Sequence, residues 1–317
     1  MTFPVYRIDG WQSYAEEQMG SKRKIWFRSS GTPECPDGEE YLFKYPREGF
    51  GEDWAEKAAA EVAETMQIPH AEVELATFMG QKGTISKSFM SSDQENLYHG
   101  NQLLELFLPE YDTQKNFGQS DHTYQRIVNI IGSLGASAAS PMLSVLDDDS
   151  GIACLAGYLT LDALIGNSDR HHENWALIVT FSREEDLPAV SRVKLAPTFD
   201  HASSLGRELS DERRLMLLND VEKARSYYEH CPSRIYWNET DARPLHPAEL
   251  VRRAAEQSPA AFAPWLDRAA KIDDRMIDEM FSSFPPGWIS SPALAFAKAF
   301  IGMARGELAE IHRSIVQ

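Results

Sequence analysis

The chain has 317 residues, enough for two domains, or for one large domain with two lobes, at roughly 150 residues each. Its 43% hydrophobic and 25% charged residues are ordinary for a globular protein and exclude a disordered, collagen-like or disulfide-stapled chain. With 48 acidic against 31 basic side chains, the net charge of −17 has the wrong sign for binding extended nucleic acid or an anionic membrane, though not for a local basic site.

In chain order, the first predicted elements are two short apolar and aromatic runs at 24–28 and 40–45, joined by turn-rich residues. They read as a β-hairpin with a loose loop. A helix follows, in which Ala55, Ala58, Ala59, Val62, Ala63 and Met66 form one stripe and Pro69 is the stop. Two more strands, 72–79 and 83–89, meet around Gly80-Gln81-Lys82-Gly83. Beyond residue 90 helical patterns dominate, at 101–107, 124–134, 141–147, 152–165, 215–228, 248–256, 260–281 and 292–315. Only 175–200 looks extended, with strands at 175–180 and 192–195. The pattern predicts an α+β protein with a small β-rich lobe over residues 1–90 and a larger helical lobe over 91–317.

Three cysteines, Cys35, Cys154 and Cys231, lie far apart with no C-x-x-C, which points to a reducing cytoplasm. The first 20 residues contain Asp9, Glu16 and Glu17 and no apolar run, unlike a signal peptide. The most apolar stretch, 152–165, carries Asp162 and is too short to span a membrane; it reads as a buried helix whose acid is satisfied by loop backbone.

The strongest chemical signal follows that helix: Gly166-Asn167-Ser168-Asp169-Arg170-His171-His172-Glu173-Asn174. Phosphoryl transfer uses such a pair five apart, a carboxylate (Asp169) to receive the acceptor hydroxyl's proton and an amide oxygen (Asn174) to hold Mg²⁺. Across the next hairpin, Pro197-Thr198-Phe199-Asp200 supplies a harder metal ligand in Asp200. On the small lobe, Lys44 closes an apolar strand, where its charge needs a partner. At 100° per residue Glu56 sits about 90° from the centre of the helical stripe and can turn inward. Glu61 and Glu64 point toward solvent, and Glu52 lies in the first turn, where it favours the helix N-terminus. Lys22, Arg23, Lys24 and Arg28 form a local reversal of sign just after Gly20 and Ser21. His171, His172 and His201 lack a fourth partner for zinc; His171 and His201 are expected to brace the loop.

Together these motifs, with Ile85-Ser86-Lys87-Ser88-Phe89, resemble HipA-type bacterial serine/threonine kinases, the toxin kinases of toxin–antitoxin pairs. The resemblance runs from about Gly20 to Ala202 and is thinner in the C-terminal helices. It implies a bilobal protein-kinase-like fold, ATP and Mg²⁺ as cofactors, and Asp169, Asn174 and Asp200 as catalytic and metal-binding residues. It further implies Lys44 with Glu56 at the nucleotide, Gly20, Ser21, Lys22 and Lys24 in a phosphate loop, and Ser88, Phe89 and Met90 in a hinge beside adenine. Ser21 becomes a candidate for autophosphorylation. The implied partners are a protein substrate of the aminoacyl-tRNA synthetase or translation-factor class, and an antitoxin or a separate chain replacing the N-terminal subdomain that longer members carry before the loop. Neither nucleic acid nor membrane is expected to bind directly. Asp169-Arg170-His171 also matches phosphoinositide kinases, so a lipid or small-molecule phosphotransferase stays open. So does a pseudokinase-like module that docks to a partner.

Overall fold

The computed structural model describes residues 2–16, 23–31, 35–138, 150–182 and 189–316. The predicted hairpin is strands β3 (Lys24–Arg28) and β4 (Glu40–Lys44), in a register that sets Lys24 directly opposite Lys44. They belong to a six-stranded sheet with β1 (Val5–Arg7), β2 (Gln12–Glu16), β5 (Val73–Phe78) and β6 (Gln81–Lys87), ordered β1-β5-β6-β4-β3-β2. β1 and β2 escape sequence reading because they are short and mostly exposed, without the alternation that burial imposes.

Helix α1 (Glu52–Thr65) packs on β5 and β6. Its apolar stripe joins the hydrophobic core of the helical part of the chain, whereas Phe27, Phe43 and Ile85 form a separate core in the sheet. One helix thus ties the sheet to the rest of the molecule.

A second sheet orders β7 (Glu95–His99), β8 (Ala176–Ser182) and β9 (Ala189–Leu195), all antiparallel. β7 is rich in polar residues and only partly buried, so it carries no strand signature. The helices are α2 (Gly100–Phe107), α3 (Tyr124–Ser133), α4 (Gly151–Ile165), α5 (Asp211–Leu218), α6 (Val221–Glu229), α7 (Pro247–Gln257), α8 (Pro259–Lys271), α9 (Asp274–Ser282) and α10 (Ser291–Ile315). Two long helices expected at 215–228 and 260–281 are each broken in two. The Asp220 side chain accepts from the Lys223 amide at 3.1 Å, and that of Asp273 from the Met276 amide at 2.8 Å. Each aspartate gains more as an N-cap than within a helix interior. The helix expected at 141–147 lies outside the described residues.

Helix α4 is apolar on all sides and runs through the centre of the helical part, against α7, α8 and α10. It ends at Gly166, where φ is +63° and a Cβ would lie 2.2 Å from the Phe300 ring. Only glycine meets both conditions, so the motif loop starts from a fixed point. No helix among the described residues is long and apolar enough to cross a membrane.

Candidate active site

The loop between α4 and β8 is held from beneath by buried charges. Asp162 on α4 receives Arg170 Nε and Nη2, both at 2.7 Å, and Asn167 Nδ2 at 2.8 Å. The partners of Asp162 are therefore loop side chains rather than the loop backbone expected from the sequence. Arg170 also donates from Nη1 to the Asn174 carbonyl (2.6 Å) and from Nη2 to Thr198 Oγ1 (2.9 Å), which contacts His201 Nε2 at 2.8 Å. Bidentate geometry and full use of the guanidinium offset the cost of burying this pair. His201 has the bracing place expected of it, and burial holds it neutral, well below the usual histidine range.

On this frame Asp169 stands partly open, its side chain 28% exposed. Its amide donates to Asn167 Oδ1, its Oδ2 accepts from Ser203 Oγ at 3.4 Å, and Arg234 Nε lies 3.9 Å from Oδ1. Asn174 donates from Nδ2 to the Asp169 carbonyl at 2.7 Å, which leaves Oδ1 as its acceptor atom. His171 accepts the Glu173 amide at 3.3 Å, and His172 packs against Tyr111 and Asn116. Burial pushes both imidazoles down to about 4.

Asp200 adopts φ +58°, rare for a residue with a side chain. Its Oδ2 lies 3.2 Å from Lys24 Nζ and its Oδ1 lies 3.6 Å from Lys44 Nζ. Lys44 pairs with Glu56 at 2.5 Å, both side chains being buried, and Thr84 Oγ1 donates to the other Glu56 oxygen. Burial works against the charged lysine, but Asp200 and Glu56 outweigh it and raise its pKa above the ordinary value. Glu56 is thus the helical partner that the stripe geometry selects. Glu52 is also buried, on the Arg47 amide and 3.3 Å from Arg207. Glu64 is exposed as expected, whereas Glu61 is partly shielded in a pair with Lys57 at 2.7 Å.

Several of these groups border a cleft of about 210 Å³. Lys24, Lys44, Asp169, His171, Asn174 and Asp200 give it a charged lining, and Trp26, Leu42, Ala71, Phe89, Met90, Leu97 and Phe199 an apolar one. Phe89 stacks on Phe199 with centroids 5.8 Å apart. The Ser88 amide donates to the Glu40 carbonyl, and the Met90 amide to Ser88 Oγ. Ser86 Oγ lines the same cleft, buried and without a hydrogen-bond partner. Gly20, Ser21 and Lys22 lie outside the described residues.

The description "HipA-like C-terminal domain" matches residues 18–267. The chain belongs to this family. Among solved structures, the Helicobacter pylori proinflammatory kinase CtkA superposes with a TM-score of 0.73 at 16% identity, over 99% of both chains. HipA of Shewanella oneidensis MR-1, solved with HipB and operator DNA, superposes with a TM-score of 0.56 at 11% identity, over 99% of this chain and 70% of that one. At such identities the likeness shows the fold, which is kinase-like and bilobal. No curated protein sequence matches the chain.

Within this HipA-family fold the donor set suits a hard cation. Asp200 offers carboxylate oxygens and Asn174 an amide oxygen, with no thiolate beside them and the nearby His171 held neutral. No cluster of three or more His, Cys, Asp or Glu side chains that would hold a metal by itself occurs among the described residues. A Mg²⁺ site that borrows phosphate oxygens needs no such cluster. Sequence reasoning missed Asn167, Arg170 and Thr198 as the supports of the loop. The one available signal was an arginine placed eight residues after an aspartate in an apolar helix.

Proposed function

We propose that the chain is an ATP- and Mg²⁺-dependent serine/threonine protein kinase, acting in the cytoplasm. The observation that carries this reading is the convergence of Lys44–Glu56, Asp200, Asn174 and Asp169 on one cleft that also has an apolar lining. The cleft separates a nucleotide lobe, residues 1–90, from a catalytic lobe, residues 91–317. Adenine fits between Phe89, Phe199 and Leu42, with the orphaned Ser86 hydroxyl as a polar contact. Because the Ser88 and Met90 amides are engaged, base recognition in the hinge falls to the remaining backbone groups of that segment.

Lys44 and Lys24 would meet the phosphates, and Gly20, Ser21 and Lys22 are assigned to the phosphate loop on the family resemblance alone. Asn174 and Asp200 would hold Mg²⁺, which supplies charge neutralisation at the phosphate oxygens. Asp169 accepts the hydrogen bond of the acceptor hydroxyl. As the acceptor oxygen bonds to the γ-phosphorus, the bond from that phosphorus to the β,γ-bridging oxygen breaks, ADP leaves, and the proton passes to Asp169. His171 Nδ1 already accepts the Glu173 amide, so the contact to the acceptor hydroxyl is assigned to Asp169.

The same site transferring to Ser21 would autophosphorylate the phosphate loop. An antitoxin, and a synthetase or translation factor as protein acceptor, are proposed on family membership alone. Radiolabelled ATP given to purified protein and host lysate tests the reading. Label is expected in protein, at serine or threonine, and is lost in Asp169→Ala and Asp200→Ala. Label confined to lipid or metabolites would establish the other phosphotransferase class. ATP consumption that is absent in the wild-type chain would leave a docking module.

A further inference from the structure

Arg234 lies beside Asp169 but does not border the nucleotide cleft. It lines a second, smaller cavity of about 30 Å³, together with Asn116, His122, His172 and Tyr236. His171 borders both spaces, so the small cavity lies across the catalytic loop from the nucleotide. Such a volume accepts one water or one small polar group.

Arg234 is held there at a cost. Its φ of +68° is unfavourable for a residue with a side chain, and strain of this kind persists only where the surroundings impose it. Its carbonyl is held by His122, which is buried and donates from Nδ1 at 3.1 Å. Its Nε2 accepts the indole N–H of Trp175 at 3.1 Å, and since tryptophan only donates, the tautomer is settled. The guanidinium rests 4.6 Å from the centroid of Phe117, a ring that is 63% exposed. Its Nε is buried and has no hydrogen-bond partner; Asp169 at 3.9 Å is beyond hydrogen-bond reach.

Resting on the kinase reading, we propose that Arg234 and this cavity form an acceptor-side anion subsite that selects protein substrates with a glutamate or aspartate close to the target serine or threonine. A carboxylate from the substrate would pair with the guanidinium, whose side chain is 29% exposed, and Phe117 would cover the adjoining backbone. Asp169 is then approached by its hydroxyl from a tethered chain. In a protein of net charge −17, the general field repels an acidic peptide, so any preference for one requires a local cation.

The test is binding of two labelled peptides by fluorescence anisotropy in low salt. Both carry alanine at the acceptor position and differ only in glutamate or glutamine flanks. The wild-type chain is expected to bind the glutamate peptide about tenfold more tightly, a preference that shrinks in high salt. Arg234→Gln should abolish or reverse it, and Arg234→Lys should retain part of it. Equal binding by the wild-type chain, a preference insensitive to salt, or one that survives in Arg234→Gln would each overturn the proposal. Because no phosphate is transferred, failure of the peptide preference is distinguishable from failure of the kinase reading. That reading is tested in parallel by ATP-dependent labelling of a serine version of the same peptides.

Discussion

Around Arg170 all three guanidinium nitrogens donate, Asp162 accepts from three side-chain donors, and His201 closes on Thr198. Around Asp200 the charges are shared instead. Lys44 is divided between Glu56 and Asp200, and Lys24 reaches the same aspartate from the facing strand. The first cluster is saturated and holds its loop with or without a ligand. The second leaves room for exchange: Lys44 keeps Glu56 if Asp200 is drawn away, and Lys24 stays in place through the pairing of its strand. A site that must bind, react and release is thus built from one fixed half and one adjustable half.

The sharpest way to break this comparison is to remove chemistry from the fixed half without disturbing its frame. Asp169→Asn should lower phosphate transfer by about 10²–10⁴-fold, the usual scale of a lost general base. Its unfolding midpoint should stay at the wild-type value, since Asp169 is partly exposed and stands outside the Asp162–Arg170 cluster. Arg170→Ala should act on stability. It strands a buried aspartate and should cost about 3–5 kcal/mol in urea unfolding. An Arg170→Ala chain as stable as the wild type would show that the frame is not the anchor described above.

That frame marks the limit of what the sequence discloses. Glu56 was legible because a helix has a fixed angular repeat, and its pairing with Lys44 is a matter of one strand and the next helix. The hairpin, the stripe of α1 and the loop after α4 followed from local periodicity and motif spacing. The supports of the loop did not, because Asp162, Arg170 and Thr198 meet only when α4 and the segment after β9 are brought together. Sequence placed Asp162 correctly in the interior and assigned it the wrong partner. β2 and β7 were hidden for another reason: strands that are largely exposed need no alternation. Long apolar periodicity likewise concealed the breaks before α6 and α9, where a single capping aspartate outweighs continuity.

Acid should act on stability too, with a smaller effect. Burial pushes His122 down to about 3 and His201 well below its ordinary value, while both return to about 6.5 when the chain unfolds. Between those limits the unfolded state binds more protons, so stability is complete above pH 6.5 and falls as the pH drops below it. From pH 7 to pH 5 His122 alone should contribute a loss on the order of 2 kcal/mol. Urea unfolding at the two pH values measures it. In His122→Gln the same interval should show a shallower loss, and an unchanged slope would remove His122 as a source.

The adjustable half should respond least in stability and most in ligand binding. Lys24→Gln removes one of the two ammonium groups near Asp200 but leaves Lys44 3.6 Å from it and Glu56 fully paired. Unfolding should therefore shift by less than about 1 kcal/mol, as for a pair whose loss strands no buried charge. ATP affinity should fall by about tenfold, the scale of one charge-assisted contact to phosphate. Lys44→Gln reverses the order, because it leaves Glu56 buried at 2% exposure without its cation. Calorimetric titration of ATP beside urea unfolding for both variants distinguishes them. If Lys24→Gln destabilises the fold as much as Lys44→Gln does, Lys24 is part of the frame, and the division between a fixed and an adjustable half does not hold at that residue.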